Sequence, residues 1–368
     1  MKQKEYLAIN GISYLKKILD EEGWKNIFLV TGKSSYEISG AKSQIEEIFN
    51  EKNCNYSRFS DLKPNPQLSS IHKGLMNFKD SNAEAIFAIG GGSPIDVAKA
   101  IKLFHKNKTN KSIPLVAIPT TAGSGSEATS FIVYYEGKKK ISAGAPDITL
   151  PNYSLLDPCL TLSLPKKIAA SSGLDALCQA TESYWSIHST SESKEYSKKS
   201  IHLLLDDLPE ATHTKNLIPK YNVLEAANLA GKAINITKTT ACHSIAYPMT
   251  SYFNITHGHA VALTLGKMME YNENLSEKDC LDARGINHTK KSLKELKDIF
   301  NCKEGKQFSQ KIKRLMENLE LETKLSNLGI TLEGIETIVE NGFTPERVKN
   351  NPRKLTKESL KEILYSVY

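Results

Sequence analysis

Four side chains of this 368-residue sequence could together bind a divalent metal ion. Asp175 and Gln179 stand four residues apart in a mainly apolar segment, and this spacing places both on one face of a helix. His243 and His257 follow further along the chain. A carboxylate, an amide oxygen and two imidazoles form a donor set that iron(II), zinc or manganese(II) accepts in proteins. The four residues therefore predict a metal site and leave the identity of the metal open.

Two residues close to these histidines are candidates for proton transfer. Tyr247 stands four residues after His243, which is one helical turn, and His259 stands two residues after His257. A hydroxyl or an imidazole beside a metal site could pass a proton to substrate. For both residues, packing in the protein core is the alternative interpretation.

A glycine-rich turn, Gly90 to Ser93, follows the apolar segment 83–89 and precedes a helical pattern that reaches about residue 105. Without side chains, Gly91 and Gly92 would let a phosphate approach the backbone amides at the start of the helix, together with Ser93. In isolation, such a turn equally fits an ordinary strand-to-helix connection. Its spacing also differs from the GxGxxG pattern of the usual dinucleotide-binding fingerprint.

A second polar loop, residues 119–127, follows the apolar segment 115–118 and contains Thr120, Thr121 and Ser124. Ligands of open parallel sheets bind outside the carboxyl ends of the strands, which is where both loops are expected. Hydroxyl and amide groups there could hydrogen-bond to phosphate and ribose. The two loops together predict a nucleotide site.

The elements that would carry these residues change character near residue 160. Before it, apolar strands alternate with helices, which is typical of a parallel α/β sheet. The strands are predicted over 25–31, 54–59, 83–89, 115–118 and 153–156, the helices over 41–52 and 67–78, and a hairpin over 131–135 and 138–141. After residue 165, helical patterns continue to about residue 339. We therefore expect an α/β domain over 1–160 and a helical domain over 161–368.

Composition excludes several classes of function. Hydrophobic residues make up 40% and charged residues 24% of the chain, as in a soluble globular protein. The net charge of +7 is dispersed, so nucleic-acid binding is not expected, and without a run of eighteen apolar residues a membrane span is not expected either. The N-terminus lacks the apolar core of a signal peptide, which predicts a cytoplasmic protein. Six scattered cysteines indicate reduced thiols rather than a disulfide framework.

Four stretches, 90–99, 119–127, 173–177 and 256–258, resemble the iron-containing (group III) alcohol dehydrogenase family, and they occur in the family's order across nearly the whole chain. The resemblance implies a Rossmann-like dinucleotide-binding α/β domain followed by an all-α domain, a fold shared with the dehydroquinate synthases. It also implies a divalent metal in the cleft, most often iron, hydride transfer from a nicotinamide, and a homodimer. The positions that match family motifs are Gly91, Gly92 and Ser93 in the pyrophosphate loop, Thr120, Thr121 and Ser124 in the second cofactor loop, Lys140 as a cofactor-contacting lysine, and Asp175, His243 and His257 as metal ligands.

The sequence departs from the family at two places. Gln179 stands where the family usually has a histidine ligand, and its amide oxygen is a weaker donor than imidazole. Loss of the metal with retention of the fold is the alternative there. Gly32 stands where many relatives have an acidic residue that holds the ribose hydroxyls, and Lys33 follows it. The missing negative charge favours NADP(H), with NAD(H) still open.

Within the family, stretches 30–40, 176–186 and 257–259 look like those of the phosphonoacetaldehyde reductases. This resemblance implies a metal-dependent, NAD(P)H-linked reduction of a small anionic aldehyde, phosphonoacetaldehyde, to 2-hydroxyethylphosphonate. Arg347, Arg353 and Lys354 are candidate contacts for the anion, and a structural role is the alternative. Other open readings are an alcohol dehydrogenase acting on small neutral substrates, a dehydroquinate synthase-like lyase, and a nucleotide-binding relative without a metal.

Overall fold

The apolar segments of the N-terminal part form a six-stranded parallel sheet. A computed structural model describes residues 3–62, 65–137 and 139–368. The eight strands are β1 Lys4–Leu7, β2 Asn26–Thr31, β3 Asn55–Phe59, β4 Ala85–Gly90, β5 Leu115–Pro119, β6 Phe131–Glu136, β7 Lys139–Gly144 and β8 Tyr153–Leu156. The sheet has the order β1-β8-β5-β4-β2-β3, while β6 and β7 pair as a separate antiparallel hairpin.

The helices of the N-terminal part pack on the sheet, and a larger group of helices follows later in the chain. Those of the N-terminal part are α1 Tyr14–Glu22, α2 Ser35–Ile38, α3 Ala41–Lys52, α4 Leu68–Asp80, α5 Gly92–Thr109 and α6 Pro146–Thr149. The remainder are α7 Lys166–Trp185, α8 Ser191–His213, α9 Leu217–Thr237, α10 Ala241–Phe253, α11 His257–Glu273, α12 Ile286–Ile299, α13 Gly305–Asn318, α14 Leu332–Gly342, α15 Pro345–Val348 and α16 Lys357–Tyr365. This arrangement confirms the predicted fold class.

Successive residues of the central strands point to opposite faces of the sheet, and both faces are buried. On β2, Ile27 and Leu29 belong to one hydrophobic cluster, whereas Phe28 and Val30 belong to another. Helices pack on each cluster, which explains why these strands read as continuous apolar runs rather than as alternating ones.

The strand at the edge of the sheet, β1, was not predicted. It has only four residues, all exposed or half-buried, so no apolar pattern marks it. The hairpin was predicted too short, because its second strand continues to Gly144; Lys138 lies outside the described residues.

The described chain forms two compact units. The first runs to Leu164 and also takes in Lys215–Asn228; the second consists of Pro165–Thr214 and Leu229–Tyr368. The predicted division at residue 160 assigned 215–228 to the helical domain instead. A sequence pattern cannot reveal this difference, since α9 is one continuous helix whose first half belongs to the first unit. No helix in the described part of the chain is both long enough and apolar enough to cross a membrane.

Candidate metal centre and cofactor loops

One face of α7 presents three polar side chains inside the second unit. Asp175, Gln179 and Glu182 follow one another at intervals of four and three residues, so they line up along the helix. All three are buried, with exposed fractions of 7%, 5% and 0%. Burying two carboxylates and an amide side by side is costly unless cationic or hydrogen-bonding partners compensate.

Two histidines from other helices meet this face. His243 lies in the first turn of α10, and His257 is the first residue of α11. Ligand atoms of Asp175, His243 and His257 all lie within 4.8 Å of one another. The two imidazole rings meet edge to face, with centroids 5.6 Å apart. The predicted Asp and His residues are thus brought together, and Gln179 joins them by donating from Nε2 to Asp175 Oδ2 at 3.2 Å.

Gly258 permits the close approach of α11 to α7. A β-carbon at this position would lie 1.9 Å from the carbonyl oxygen of Ser171 and 2.7 Å from the β-carbon of Asp175. Such overlaps with backbone cannot relax locally. A glycine is therefore needed directly after His257 to place that histidine next to Asp175.

Glu182 fixes the orientation of the His243 ring. One of its oxygens accepts hydrogen bonds from Thr240 Oγ1 and from the Cys242 amide, each at 2.7 Å. Its other oxygen contacts Nδ1 of His243. In the neutral ring, the Nδ1 proton is directed to this carboxylate, and Nε2 then presents its lone pair on the opposite side, facing Asp175 Oδ1 at 3.4 Å. A carboxylate behind a metal-binding histidine is the usual way in which proteins set this tautomer.

The electrostatics of the cluster suit a cation. Burial by itself lowers the pKa of His243, but the carboxylates of Glu182 and Asp175 outweigh it and raise the pKa to about 9. The same pairing holds the pKa of Glu182 below its usual value, although burial acts in the opposite direction. Positive charge is therefore stabilised between the two carboxylates.

The donor set fits a divalent metal. Nε2 of His243 is buried and has no hydrogen-bond partner among the residues that the structure describes. It lies in a group that also offers a carboxylate oxygen and a second imidazole. Nitrogen and oxygen donors in this number match the preferences of zinc, iron(II) and manganese(II).

Of the two residues predicted to act in proton transfer, only one lies at the cluster. The ring of Tyr247 stacks on that of His257, with a centroid distance of 5.9 Å and an interplanar angle of 19°. His259 instead hydrogen-bonds through Nε2 to the carbonyl oxygen of Glu322 at 2.6 Å, and its own amide donates to Ser171 Oγ. Burial lowers the pKa of His259. These contacts favour the packing interpretation of His259 over a catalytic one.

In the first unit, the two glycine-rich and hydroxyl-rich loops touch each other at the carboxyl ends of β4 and β5. A β-carbon on Gly92 would lie 2.9 Å from Ser124 Oγ, and one on Gly91 would lie 3.2 Å from Thr121 Oγ1. Ser93 follows in the first turn of α5. The Thr120 amide donates to the Gly90 carbonyl at 2.9 Å, linking the loops. The bare backbone at the start of α5 fits a phosphate group of a dinucleotide.

A buried lysine, Lys99, anchors the end of the second loop through hydrogen bonds. Lys99 Nζ is fully buried and donates to Ser126 Oγ, Thr129 Oγ1 and the Phe131 carbonyl at 3.1, 3.2 and 2.9 Å. Burial lowers the pKa of Lys99 to about 8, with nearby carboxylates acting against it.

Lys140, on β7, stands opposite Tyr135 in the hairpin. Burial raises the pKa of Asp96 on α5, and Lys140 is near enough to counteract that shift in part. The predicted lysine is thus near the helix that begins at the first cofactor loop.

The turn after β2 carries a cation that was not predicted. Arg58, on β3, donates from Nε to Thr31 Oγ1 at 2.8 Å and from Nη2 to the carbonyls of Gly32 and Lys33 at 3.2 and 3.1 Å. Its guanidinium also lies over the ring of Tyr36. Two cationic side chains, Lys33 and Arg58, therefore belong to this turn. Only the pairing of β2 with β3 brings Arg58 there, so the sequence contained no local indication of it.

The cationic candidates near the C-terminus have different roles. Arg353 pairs with Asp279 at 2.7 Å, donates to the Tyr271 carbonyl and lies over the Tyr271 ring. The backbone of Lys354 is also held there, because its amide donates to the Asp279 carbonyl. These contacts are structural. Arg347 is elsewhere, where it donates to Thr239 Oγ1 at 3.2 Å.

Comparison with known proteins identifies the family. The model of the iron-containing alcohol dehydrogenases matches residues 5–158, and that of the C-terminal domain of the Fe-containing alcohol dehydrogenase family matches residues 169–368. The chain belongs to the iron-containing alcohol dehydrogenase family. The resemblance drawn from its motifs is thereby confirmed.

Three relatives illustrate the range of this family. The chain is 31% identical over 315 residues to a phosphonoacetaldehyde reductase of Streptomyces viridochromogenes, covering 77% of this chain and 75% of that protein. It is 27% identical to alcohol dehydrogenase 4 of Saccharomyces cerevisiae, covering 95% and 93%. The crystal structure of sulfoacetaldehyde reductase from Bifidobacterium kashiwanohense in complex with NAD+ superposes with a TM-score of 0.86 at 26% identity, covering 99% and 96%. An iron-containing alcohol dehydrogenase of this kind is an oxidoreductase that uses a metal and a nicotinamide cofactor.

Proposed function

We propose that this iron-containing alcohol dehydrogenase reduces phosphonoacetaldehyde to 2-hydroxyethylphosphonate with NAD(P)H. The observation that carries the proposal is the cluster of Asp175, His243 and half-buried His257, whose ligand atoms lie within 4.8 Å of one another. The substrate is suggested by the similarity to the Streptomyces phosphonoacetaldehyde reductase. The net reaction consumes one aldehyde, one reduced nicotinamide and one proton, and yields the alcohol and the oxidised cofactor.

In this proposal Asp175, Gln179, His243 and His257 hold the divalent metal. A metal in this position acts as a Lewis acid that polarises the carbonyl oxygen of the substrate. Glu182 keeps the Nδ1 proton of His243 on its own side, so that Nε2 stays available as a donor. Iron(II) is the first candidate, with zinc and manganese(II) as alternatives.

The cofactor is bound by the first unit. Gly91, Gly92 and Ser93 offer backbone amides to the pyrophosphate, while Thr120, Thr121, Ser124 and Lys140 contribute polar contacts. NADP(H) is preferred over NAD(H), because Gly32 carries no charge and both Lys33 and Arg58 belong to the same turn. Their positive charges would stabilise a 2′-phosphate.

The proton that completes the alcohol reaches the substrate oxygen by way of Tyr247. Its ring stacks on that of His257, which places the tyrosine beside the metal cluster. A positioned hydroxyl of this kind can relay a proton from solvent. His259 is not used, since its Nε2 is engaged with the Glu322 carbonyl.

A second candidate function is the reduction of small neutral aldehydes. The similarity to yeast alcohol dehydrogenase 4, which extends over 95% of the chain, favours it. The predicted homodimer and cytoplasmic location stay predictions.

The test is NADPH oxidation by iron(II)-loaded enzyme, followed at 340 nm, with phosphonoacetaldehyde compared against butyraldehyde and lactaldehyde. A parallel series uses NADH. We expect kcat/KM to be at least tenfold higher for phosphonoacetaldehyde than for the neutral aldehydes, and higher with NADPH than with NADH. Equal or better use of the neutral aldehydes would refute the phosphonate assignment and favour the second candidate.

A further inference from the structure

Thr240 is the N-cap residue of α10, yet its side chain does not cap this helix. A threonine at an N-cap usually accepts a hydrogen bond from the backbone amide of the second or third helical residue. Three other N-cap threonines of the described chain do so: Thr190, Thr331 and Thr356. Within the described residues, Thr240 makes no such bond. The amide of Cys242, the second residue of α10, donates instead to Glu182 Oε1 at 2.7 Å. Glu182, on α7, therefore caps α10 in place of the threonine.

The hydroxyl of Thr240 lies between two buried side chains of α7. Trp185 Nε1 donates to Thr240 Oγ1 at 2.9 Å, and an indole N–H can only donate. The hydroxyl carries one proton, which it donates to Glu182 Oε1 at 2.7 Å. Thr240 and Glu182 are fully buried and Trp185 is 2% exposed, so solvent does not compete for these bonds. The hydrogen bonds therefore run in one direction, from the indole through the hydroxyl to the carboxylate.

These bonds restrict the orientation of the Glu182 carboxylate. Oε1 accepts from both Thr240 and Cys242, while Oε2 contacts Nδ1 of His243. The terminal torsion of a glutamate side chain is otherwise broad, so a carboxylate with one anchor can rotate away from the imidazole. Two donors on Oε1 oppose that rotation more strongly than one donor does. The segment that carries the proposed ligand His243 thus also carries the groups that orient its partner.

We propose that Thr240 is a positioning residue of the metal centre: its hydroxyl, oriented by Trp185, holds the Glu182 carboxylate with Oε2 on Nδ1 of His243. Nε2 of the neutral ring is thereby kept as a lone-pair donor on the side of Asp175. The inference rests on the metal centre of the proposed function and does not depend on which aldehyde is reduced.

The expected effect is smaller than that of losing the carboxylate itself. Removing a carboxylate behind a metal-binding histidine lowers metal affinity by about 10- to 100-fold. T240V removes one of two donors to Glu182 Oε1, and the Cys242 amide stays in place. We therefore expect zinc affinity to fall by about three- to tenfold in T240V.

The experiment compares T240V and T240S with the wild type and with T289V. Valine has the shape of threonine without the hydroxyl, whereas serine keeps the hydroxyl. Thr289, on α12, is the matched control, because it is also buried and its hydroxyl donates to the Gly285 carbonyl at 3.4 Å. Zinc affinity is measured by competition against a chromophoric chelator, and the metal-free proteins are compared in thermal melts.

T240S should bind zinc within about twofold of the wild type, since it retains the donor to Glu182. T289V should also stay within about twofold, although it too loses a buried hydrogen bond and some stability. The melts show whether T240V and T289V are folded and destabilised to a similar extent. A loss of zinc affinity confined to T240V then reports on the hydroxyl of Thr240 and not on stability in general.

A second readout tests whether Thr240 acts through Glu182. In E182Q the carboxylate is already gone, so adding T240V should lower zinc affinity by no more than about twofold. Independent effects would multiply instead, and the double variant would then lose as much affinity relative to E182Q as T240V loses relative to the wild type. That result would contradict a role through Glu182.

The remaining outcomes separate this inference from the proposed function. If T240V binds zinc as tightly as the wild type, or if T240S is as weak as T240V, the role of Thr240 is refuted while the metal centre stands. Equal losses in T240V and T289V would refute it as well. A wild type that binds zinc but does not prefer phosphonoacetaldehyde would refute the substrate and leave the role of Thr240 intact. A wild type that does not bind zinc would overturn both proposals.

Discussion

Replacing Glu182 by glutamine should weaken metal binding without touching a metal ligand. One carboxylate oxygen accepts from both Thr240 Oγ1 and the Cys242 amide, each at 2.7 Å. In E182Q these two donors hold the amide oxygen on their side. The new NH2 group must then face His243 Nδ1, where the second carboxylate oxygen had been.

The consequence is a change of tautomer. Facing an amide donor, Nδ1 of His243 has to accept, so the one proton of the neutral ring moves to Nε2. Nε2 then donates toward Asp175 Oδ1, which is already 3.4 Å away. Nε2 of His243, which was available to a metal, is now protonated. Before a metal can bind, the ring must return to its first tautomer, although the new amide stabilises the second.

The expected loss of metal affinity follows from the contact between Glu182 and His243. Removing the carboxylate behind a metal-binding histidine lowers metal affinity by about 10- to 100-fold, or about 1.4 to 2.7 kcal/mol. The metal-free variant, however, keeps the hydrogen bonds from Thr240 and Cys242 to residue 182, and only the contact with Nδ1 of His243 is reversed in sense. We therefore expect its unfolding midpoint to change by no more than a few degrees.

The assay is competition for zinc against a chromophoric chelator, paired with a thermal melt of the metal-free protein. E295Q is the matched control, because Glu295 is a partly exposed carboxylate on α12 whose hydrogen bonds go to Tyr184 and Lys194. A zinc affinity of E182Q within twofold of the wild type would refute the tautomer argument. A large loss of stability in the metal-free protein would instead show that Glu182 acts mainly in packing.

Three further predictions concern the ligand set, the cofactor turn and the buried lysine. Q179H should raise zinc affinity at least tenfold, because imidazole is the better donor; an unchanged value in the same competition assay would mean that residue 179 does not coordinate. G32D should shift the NADPH-to-NADH ratio of kcat/KM at least tenfold toward NADH. It is combined with S35A, because a β-carbon at Gly32 would lie 2.1 Å from Ser35 Oγ. An unchanged ratio would show that the 2′-phosphate does not bind at this turn. Because burial holds the pKa of Lys99 at about 8, below its unfolded value of 10.5, the folded protein binds fewer protons between these pH values, and its stability should rise with pH across that window. Relative to K99M, the free energy of unfolding of the wild type should rise by about 3 kcal/mol between pH 8 and pH 10.5, as measured by denaturant titrations. An equal dependence of this free energy on pH in both proteins would contradict the lowered pKa of Lys99.

Local patterns in the sequence predicted the central strands, the loops after them and the grouping of Asp175, His243 and His257. Buried strands and helices of ordinary length have strong apolar signatures, so β2, β4 and β5 were found within two residues of their limits. The edge strand β1 has no such signature, because its side chains are at most half-buried.

The residues that were missed act through partners far away in the chain. Arg58 reaches the Gly32–Lys33 turn only because β3 pairs with β2. Glu182 was different, since its place three residues after Gln179 on the same helical face was visible in the sequence. What could not be predicted was its partner, the ring of His243 61 residues later.

The substitution at position 179 makes sense in the light of these contacts. An amide, like a neutral imidazole, carries no charge. With glutamine or histidine at position 179, Asp175 is therefore the one charged side chain among the four proposed ligands. The amide differs in that it also donates from Nε2 to Asp175 Oδ2 at 3.2 Å, which leaves Oδ1 as the carboxylate oxygen facing His243 Nε2. Gln179 thus orients the carboxylate. If its oxygen also binds the metal, as proposed, the preference of the site shifts from zinc toward harder ions such as manganese(II) or iron(II). These contacts favour retuning of the metal site over its loss, and the Q179H variant tests that proposal.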